Sequence, residues 1–232
     1  MVAGHQSAFD GYLSIIGGTG ALGRSLAHRA LRHRIPVCIG SRNIERAGAV
    51  RDELRARIPG AVVIAEINLF AAERGDIVVV TVPFANQIAT LREIKSAVSG
   101  KVVIDTTVPL VPPRVARVQL PADHSAAVRA QMELGDTVRV VSALHNISAA
   151  LLGSPAQADE LGDVLVFGDD KTSRNAAVAF LKSIDVHALH AGPLANSTAA
   201  EAMTSVLIFL NRTYGAQHAG MRITGLPVVD PD

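Results

Sequence analysis

The segment Gly17-Gly18-Thr19-Gly20-Ala21-Leu22-Gly23 constrains this chain more than any other. It follows a short apolar run, Leu13-Ser14-Ile15-Ile16, and opens a stretch of helical pattern. A G-x-G-x-x-G between a strand and a helix makes three separate demands on the backbone. Gly18 permits the tight turn, Gly20 lets the main chain approach a pyrophosphate, and Gly23 lets the helix lie close against the strand. The start of the helix then offers unpaired N–H groups and a partial positive charge to phosphates. The expected unit is therefore β-turn-α with a dinucleotide across its turn.

The rest of the chain continues the rhythm. Strands are expected at 13–16, 36–39, 61–65, 76–82 and 101–105, with helices at 21–34, 43–58 and 84–98. The 76–82 run holds four consecutive β-branched apolar residues, Ile77 to Val80, the composition of a strand buried on both faces. This alternation predicts a Rossmann-type α/β fold with a doubly wound, mostly parallel sheet. Pro109, Pro112 and Pro113 mark 109–119 as a loop. A helix at 125–134 and a strand at 138–144 follow, and the texture loosens across 146–160. Three parts result: an N-terminal extension (1–12), a nucleotide-binding Rossmann domain (13–150), and a smaller C-terminal α/β portion (151–232) for substrate binding and dimerisation. That last portion reads as strand 164–167, helix 172–184, strand 186–189 and a final helix. Thr198-Ala199-Ala200-Glu201 has the form of a capping box for the final helix, and Gly215 is placed to end it. Within it, Val206 to Leu210 is apolar all round, which calls for burial on more than one side and suits a homodimer.

Composition narrows the partners. With 22 basic and 21 acidic residues among 232, spread along the chain, there is no basic tract for nucleic acid. No apolar run reaches the length of a membrane span, and the first residues lack the apolar stretch of a signal peptide. The single Cys38 lies inside an apolar run and reads as a core thiol in a reducing compartment, so a cytoplasmic protein is expected.

The second strand ends in Gly40-Ser41-Arg42, with Arg46 one helical turn later. An NAD site places a carboxylate there, about 20 residues after the glycines, to hold the ribose 2′-hydroxyl. Here a hydroxyl and two guanidinium groups stand in its place, the equipment for a 2′-phosphate, so NADP(H) is the expected nucleotide. Val82-Pro83-Phe84 ends the fourth strand on the edge where ligands bind, and Phe84 reads equally as a nicotinamide contact or as core. A search for a proton donor finds little. His145, at the end of the 138–144 strand, is the one titratable residue well placed, and no Ser/Tyr/Lys relay is visible. His187 and His190 lack a third ligand nearby, so no metal site is expected.

These residues together resemble the NADPH-dependent coenzyme F420 reductases. The similar segments are Ile15-Ile16-Gly17-Gly18-Thr19-Gly20 with Leu22-Gly23; Gly40-Ser41-Arg42; and Val82-Pro83 before an aromatic residue. Asp105-Thr106-Thr107-Val108-Pro109-Leu110, Ser125-Ala126-Ala127 and Ala191-Gly192-Pro193-Leu194-Ala195-Asn196-Ser197 complete the set. The resemblance spans about residues 13 to 226. It implies direct hydride exchange between NADP(H) and the deazaflavin coenzyme F420, with no essential acid or base. It further implies that Thr19, Gly20, Ala21 and Leu22 hold the pyrophosphate, and that Ser41, Arg42 and Arg46 hold the 2′-phosphate. Val82, Phe84 and Ala149 would line the nicotinamide, with His145, Asn196 and Met221 near the deazaflavin. Phe84 stands where the family often has tryptophan, and Arg46 where it often has lysine. Read without the resemblance, the residues leave two alternatives open: another small NADP-linked reductase (ferric, flavin or imine), or a non-catalytic NADP-binding sensor.

Overall fold

A computed structural model describes Phe9 and residues 11 to 226, so residues 1–8 and 10 of the 1–12 extension expected from the sequence lie outside the described residues. Its first half is a chain of strand–helix units: β1 (Leu13–Ile16), α1 (Ala21–Arg32), β2 (Val37–Ser41), α2 (Ile44–Arg57), β3 (Val63–Ile67), α3 (Asn68–Arg74) and β4 (Ile77–Val80). There follow α4 (Gln87–Ile94), β5 (Val102–Asp105), α5 (Ala126–Leu134) and β6 (Arg139–Ser142). The six strands form one sheet in the order β3-β2-β1-β4-β5-β6, and every neighbouring pair is parallel. Chain order reverses between β1 and β4, which opens a crevice at the carboxyl ends of those two strands, where such sheets bind ligands.

Alternate residues along each strand feed two cores. Leu13, Ile15, Val37, Ile39, Ile77 and Val79 pack on one face, while Ile16, Cys38, Val78 and Val80 pack on the other. That two-residue period is the geometry of a pleated strand covered on both sides. Ser14 is a buried polar residue within β1, and its hydroxyl donates to the Ala71 carbonyl at 2.5 Å.

Beyond residue 142 the chain forms α6 (Ala149–Leu152), α7 (Ala158–Leu161), β7 (Asp163–Val166), α8 (Lys171–Ser183), β8 (His187–His190) and α9 (Ser197–Tyr214). Strands β7 and β8 make a small parallel pair, joined to the large sheet through an antiparallel bridge between Ser142 and Phe167. Phe180 and Leu181 of α8 share one core with Ile104 and Val141 of the large sheet. Arg29 of α1 fastens this region from below. It is 2% exposed and donates to the carbonyls of Ile184, Ala156 and Asp185 at 2.7, 3.0 and 2.6 Å.

Three expectations are corrected. The third strand runs from Val63 to Ile67, two residues later than its sequence pattern, because it pairs with β2 as far as Ser41–Ile67. The 84–98 helix is broken into a 3-10 turn (Phe84–Asn86), α4, and a second 3-10 turn (Lys95–Ala97). The capping box at Thr198 does not form: α9 begins at Ser197, and no side chain caps it. Its carboxylate serves a different helix. Glu201 accepts from the backbone N–H groups of Ala126 and Ala127 at 2.7 and 3.2 Å and from the Ser125 hydroxyl at 2.8 Å, capping α5 from across the molecule. Gly215 does end α9, with φ of +66°, in the left-handed conformation glycine adopts without strain.

Candidate active site

The turn after β1 is built by short contacts that leave no room for side chains. Gly17 has φ of +74°, and its carbonyl accepts from Gly20 N–H at 3.1 Å. A Cβ on Gly18 would meet the Ile15 carbonyl oxygen at 2.8 Å, and one on Gly23 would meet Gly18 Cα at 2.6 Å. Gly20 differs. It has φ of −76°, and a Cβ there would find ordinary contacts at 3.5 Å and beyond, so the protein itself does not demand glycine at this position. Its bare backbone faces open space at the start of α1, which carries no side-chain cap. The first N–H groups of α1 are thus left for an anion.

A cleft of about 520 Å³ opens here, at the β1/β4 switch point. Of the residues expected from the sequence, Thr19, Gly20, Ser41, Arg42, Arg46 and Val82 line it. Gly18, Ala21, Leu22 and Gly23 lie outside the lining, as do Phe84, Ala149, His145, Asn196 and Met221. Gly17 and Pro83, which stand inside the two quoted motifs, also line it, and Asn43, Asn68, Thr81, Asn86 and Thr90 complete the wall. Asn43 had a legible signal, since asparagine before a helix is a preferred cap. Its side chain accepts from Arg46 N–H at 2.8 Å and so sets the first turn of α2.

Hydrogen-bond directions fix what this wall can hold. The Ser41 hydroxyl oxygen accepts from Asn43 N–H at 3.2 Å, which leaves its own hydrogen to donate outward. Arg42 and Arg46 are exposed, and neither pairs with a carboxylate among the described residues. One hydroxyl donor, two free guanidinium groups and an uncapped helix start converge on one cleft, a donor set suited to two separate phosphate groups. Phe84 is half-buried beside it, with the Arg129 guanidinium 5.3 Å from its ring centre.

The other named residues lie outside the lining of this cleft. His145 is 4% exposed, follows Leu144 at φ of +65°, and pairs through Nε2 with the Ser142 hydroxyl at 2.9 Å. Burial pushes its pKa down to about 4, so the ring is neutral near pH 7. Asn196 donates to the Ala191 carbonyl at 3.1 Å in the turn before α9. The Met221 carbonyl accepts from Asp163 N–H at 2.8 Å at the start of β7. Asp105, at the carboxyl end of β5, is fully buried, and burial raises its pKa to about 7 against donors from Thr107 and Gln87. No group of three or more His, Cys, Asp or Glu side chains among the described residues is placed to hold a metal ion.

Comparison with known proteins adds the family. Residues 13–109 match the model described as NADP oxidoreductase coenzyme F420-dependent. The F420-dependent NADP reductase of Methanocaldococcus jannaschii is 33% identical over 227 residues, covering 93% of this chain and 99% of the relative. The chain belongs to the F420-dependent NADP reductase family. The Methanothermobacter marburgensis F420-dependent NADP reductase is 38% identical, again over 93% of this chain and 99% of the relative. A crystal structure of an Arthrobacter sp. FB24 chain, described as an F420-dependent NADP reductase candidate, shares the fold with a TM-score of 0.78. It is 23% identical and covers 92% of this chain and 99% of that one. The residues lining the cleft, from Gly17 to Thr90, all lie within the segment matched to the family model.

Proposed function

We propose that the protein moves a hydride directly between NADP(H) and the deazaflavin coenzyme F420. The observation that carries this reading is the cleft's donor set, lying within a chain that aligns along 93% of its length with F420-dependent NADP reductases. In this reading Thr19, Gly20, Ala21 and Leu22 hold the pyrophosphate over the start of α1, with Gly18 and Gly23 shaping the turn. Ser41, Arg42 and Arg46 hold the 2′-phosphate. Val82, Phe84 and Ala149 flank the nicotinamide, and His145, Asn196 and Met221 flank the deazaflavin. Bound together, the nucleotide supplies a hydride from its nicotinamide and the deazaflavin ring accepts it. The protein's part is to orient the two rings and exclude water. The assay that tests the reading follows NADPH and F420 absorbance together with purified protein. Loss of both in equal amounts supports it, and NADPH oxidation by a ferric, flavin or imine acceptor with none by F420 contradicts it.

A neutral, buried His145 fits a role in orienting a ring. His145→Asn is expected to slow hydride transfer less than about tenfold, whereas loss of a general acid costs about 10²–10⁴-fold. The same substitution has a stability signature. A histidine whose folded pKa lies near 4 favours the folded state above its unfolded value of 6.5, and that contribution is lost as pH falls toward 4. Asp105 works oppositely, because a carboxyl raised to about 7 binds more protons when folded and costs stability as pH rises toward 7. Melting temperatures from pH 4.5 to 7.5 should therefore fall less steeply on the acid side in His145→Asn than in the wild type. Parallel curves would contradict the assignment.

A homodimer and a cytoplasmic setting belong to the same proposal. Leu207 of α9 is buried, but Val206 and Phe209, one turn apart, are 40% and 54% exposed. This supports a partner chain on the outer face of α9, in the C-terminal portion 151–232. Sedimentation at micromolar concentration is expected to give a dimer, and Phe209→Asp a monomer. A wild-type monomer would refute it. The buried free thiol of Cys38 fits a reducing compartment.

A further inference from the structure

Asn68 stands at the start of α3, at the edge of the cleft floor, and is 1% exposed. Its Nδ2 donates to the Glu93 carboxylate at 3.1 Å. A carboxylate only accepts, so Glu93 fixes which way the amide faces and turns Oδ1 away from itself. That oxygen is buried and has no hydrogen-bond donor among the described residues. Buried polar atoms are almost always paired, and an orphan beside a ligand cleft calls for a partner. Strand register says which part of a dinucleotide lies nearby: Ser41 pairs with Ile67, so Asn68 is the next residue after the partner of the 2′-phosphate-binding hydroxyl.

On that geometry we infer that Asn68 is a nucleotide-binding residue whose side-chain oxygen accepts a hydrogen bond from the adenosine half of the nucleotide. The inference rests on the NADP(H) reading above. The 2′-phosphate is excluded as the partner, because it too is an acceptor. Two donors remain on that half, the exocyclic amino group of adenine and the ribose 3′-hydroxyl. Both are present in NADPH and in NADH. Asn68 therefore differs in kind from Arg42, which meets a group that NADH lacks.

The test compares wild type with Asn68→Leu, which keeps the size and removes the oxygen, and with Asn68→Ser. Calorimetric titration is run with NADPH, NADH and the deamino (hypoxanthine) analogue of NADPH. Asn68→Leu is expected to weaken NADPH and NADH alike by about 5- to 50-fold. It should leave kcat at saturating NADPH within about threefold, since it acts on binding shared by ground and transition states. The melting temperature of the ligand-free variant should stay level or rise, because an unpaired oxygen has been removed from the interior. If the amino group is the partner, wild type binds the deamino analogue more weakly than NADPH and Asn68→Leu does not distinguish them. If wild type binds both equally while the variant still loses affinity, the hydroxyl is the partner. Unchanged NADPH affinity in both variants overturns the inference, as does a loss matched by a fall in ligand-free stability in both. Failure of the wild type to bind NADPH would instead overturn the functional reading on which it rests.

Discussion

Arg42→Ala is expected to weaken NADPH binding by about 10- to 100-fold while leaving NADH binding within about twofold. A charge-assisted hydrogen bond contributes about 1.5–3 kcal/mol, and about 1.4 kcal/mol is a factor of ten. Arg42 is exposed and free of carboxylate partners among the described residues, so its removal should not disturb the fold. NADH has no 2′-phosphate and should not register the change. Arg42→Lys should recover only part of the loss, since an ammonium group lacks the planar fork of the guanidinium. Calorimetry is the suitable method, because the chain has no tryptophan to report binding. Equal losses for the two nucleotides would mean that Arg42 is structural.

Arg29→Met should cost about 3 kcal/mol or more of stability, the largest effect expected away from the cleft. The guanidinium satisfies backbone carbonyls at the α8–β8 turn and ahead of α7, and methionine would leave the buried Ile184 carbonyl and the part-buried Ala156 and Asp185 carbonyls without that donor. For a chain of this size that corresponds to a fall of about 6–12 °C in melting temperature. Asp185 supplies the control. Its carboxylate lies 3.3 Å from Arg29 but is 48% exposed, so Asp185→Asn should change stability by less than about 1 kcal/mol. If both variants lose equally, the ion pair rather than the carbonyl contacts holds this region to α1.

Much of the architecture was legible because the demands are local. The glycine turn states its own geometry: Gly17 needs positive φ, and Gly18 and Gly23 touch. Ser41, Arg42 and Arg46 could be placed on the cleft because a residue ending β2 beside β1 must face the same crevice. Other features are not written locally. The seven residues of α3 are too few for a helical period to show, so Asn68 went unnoticed, as did the four-residue helices α6 and α7. Thr198 and Glu201 have the spacing of a capping box, yet Glu201 finds α5 instead. Only the approach of α9 to Ser125 decides between those partners, and Thr198 turns to the Ala195 carbonyl. The position of His145 at the carboxyl end of β6 was readable, but its burial against Ser142 was not.

The central claim is that hydride passes straight between the two cofactors, and isotope tracking tests it most directly. NADPH carrying deuterium at the transferable nicotinamide position is mixed with F420 and excess protein for a single turnover in ordinary water. The account predicts that deuterium is retained on the reduced deazaflavin ring and that the transfer step shows a primary isotope effect. Loss of the deuterium to water would contradict it.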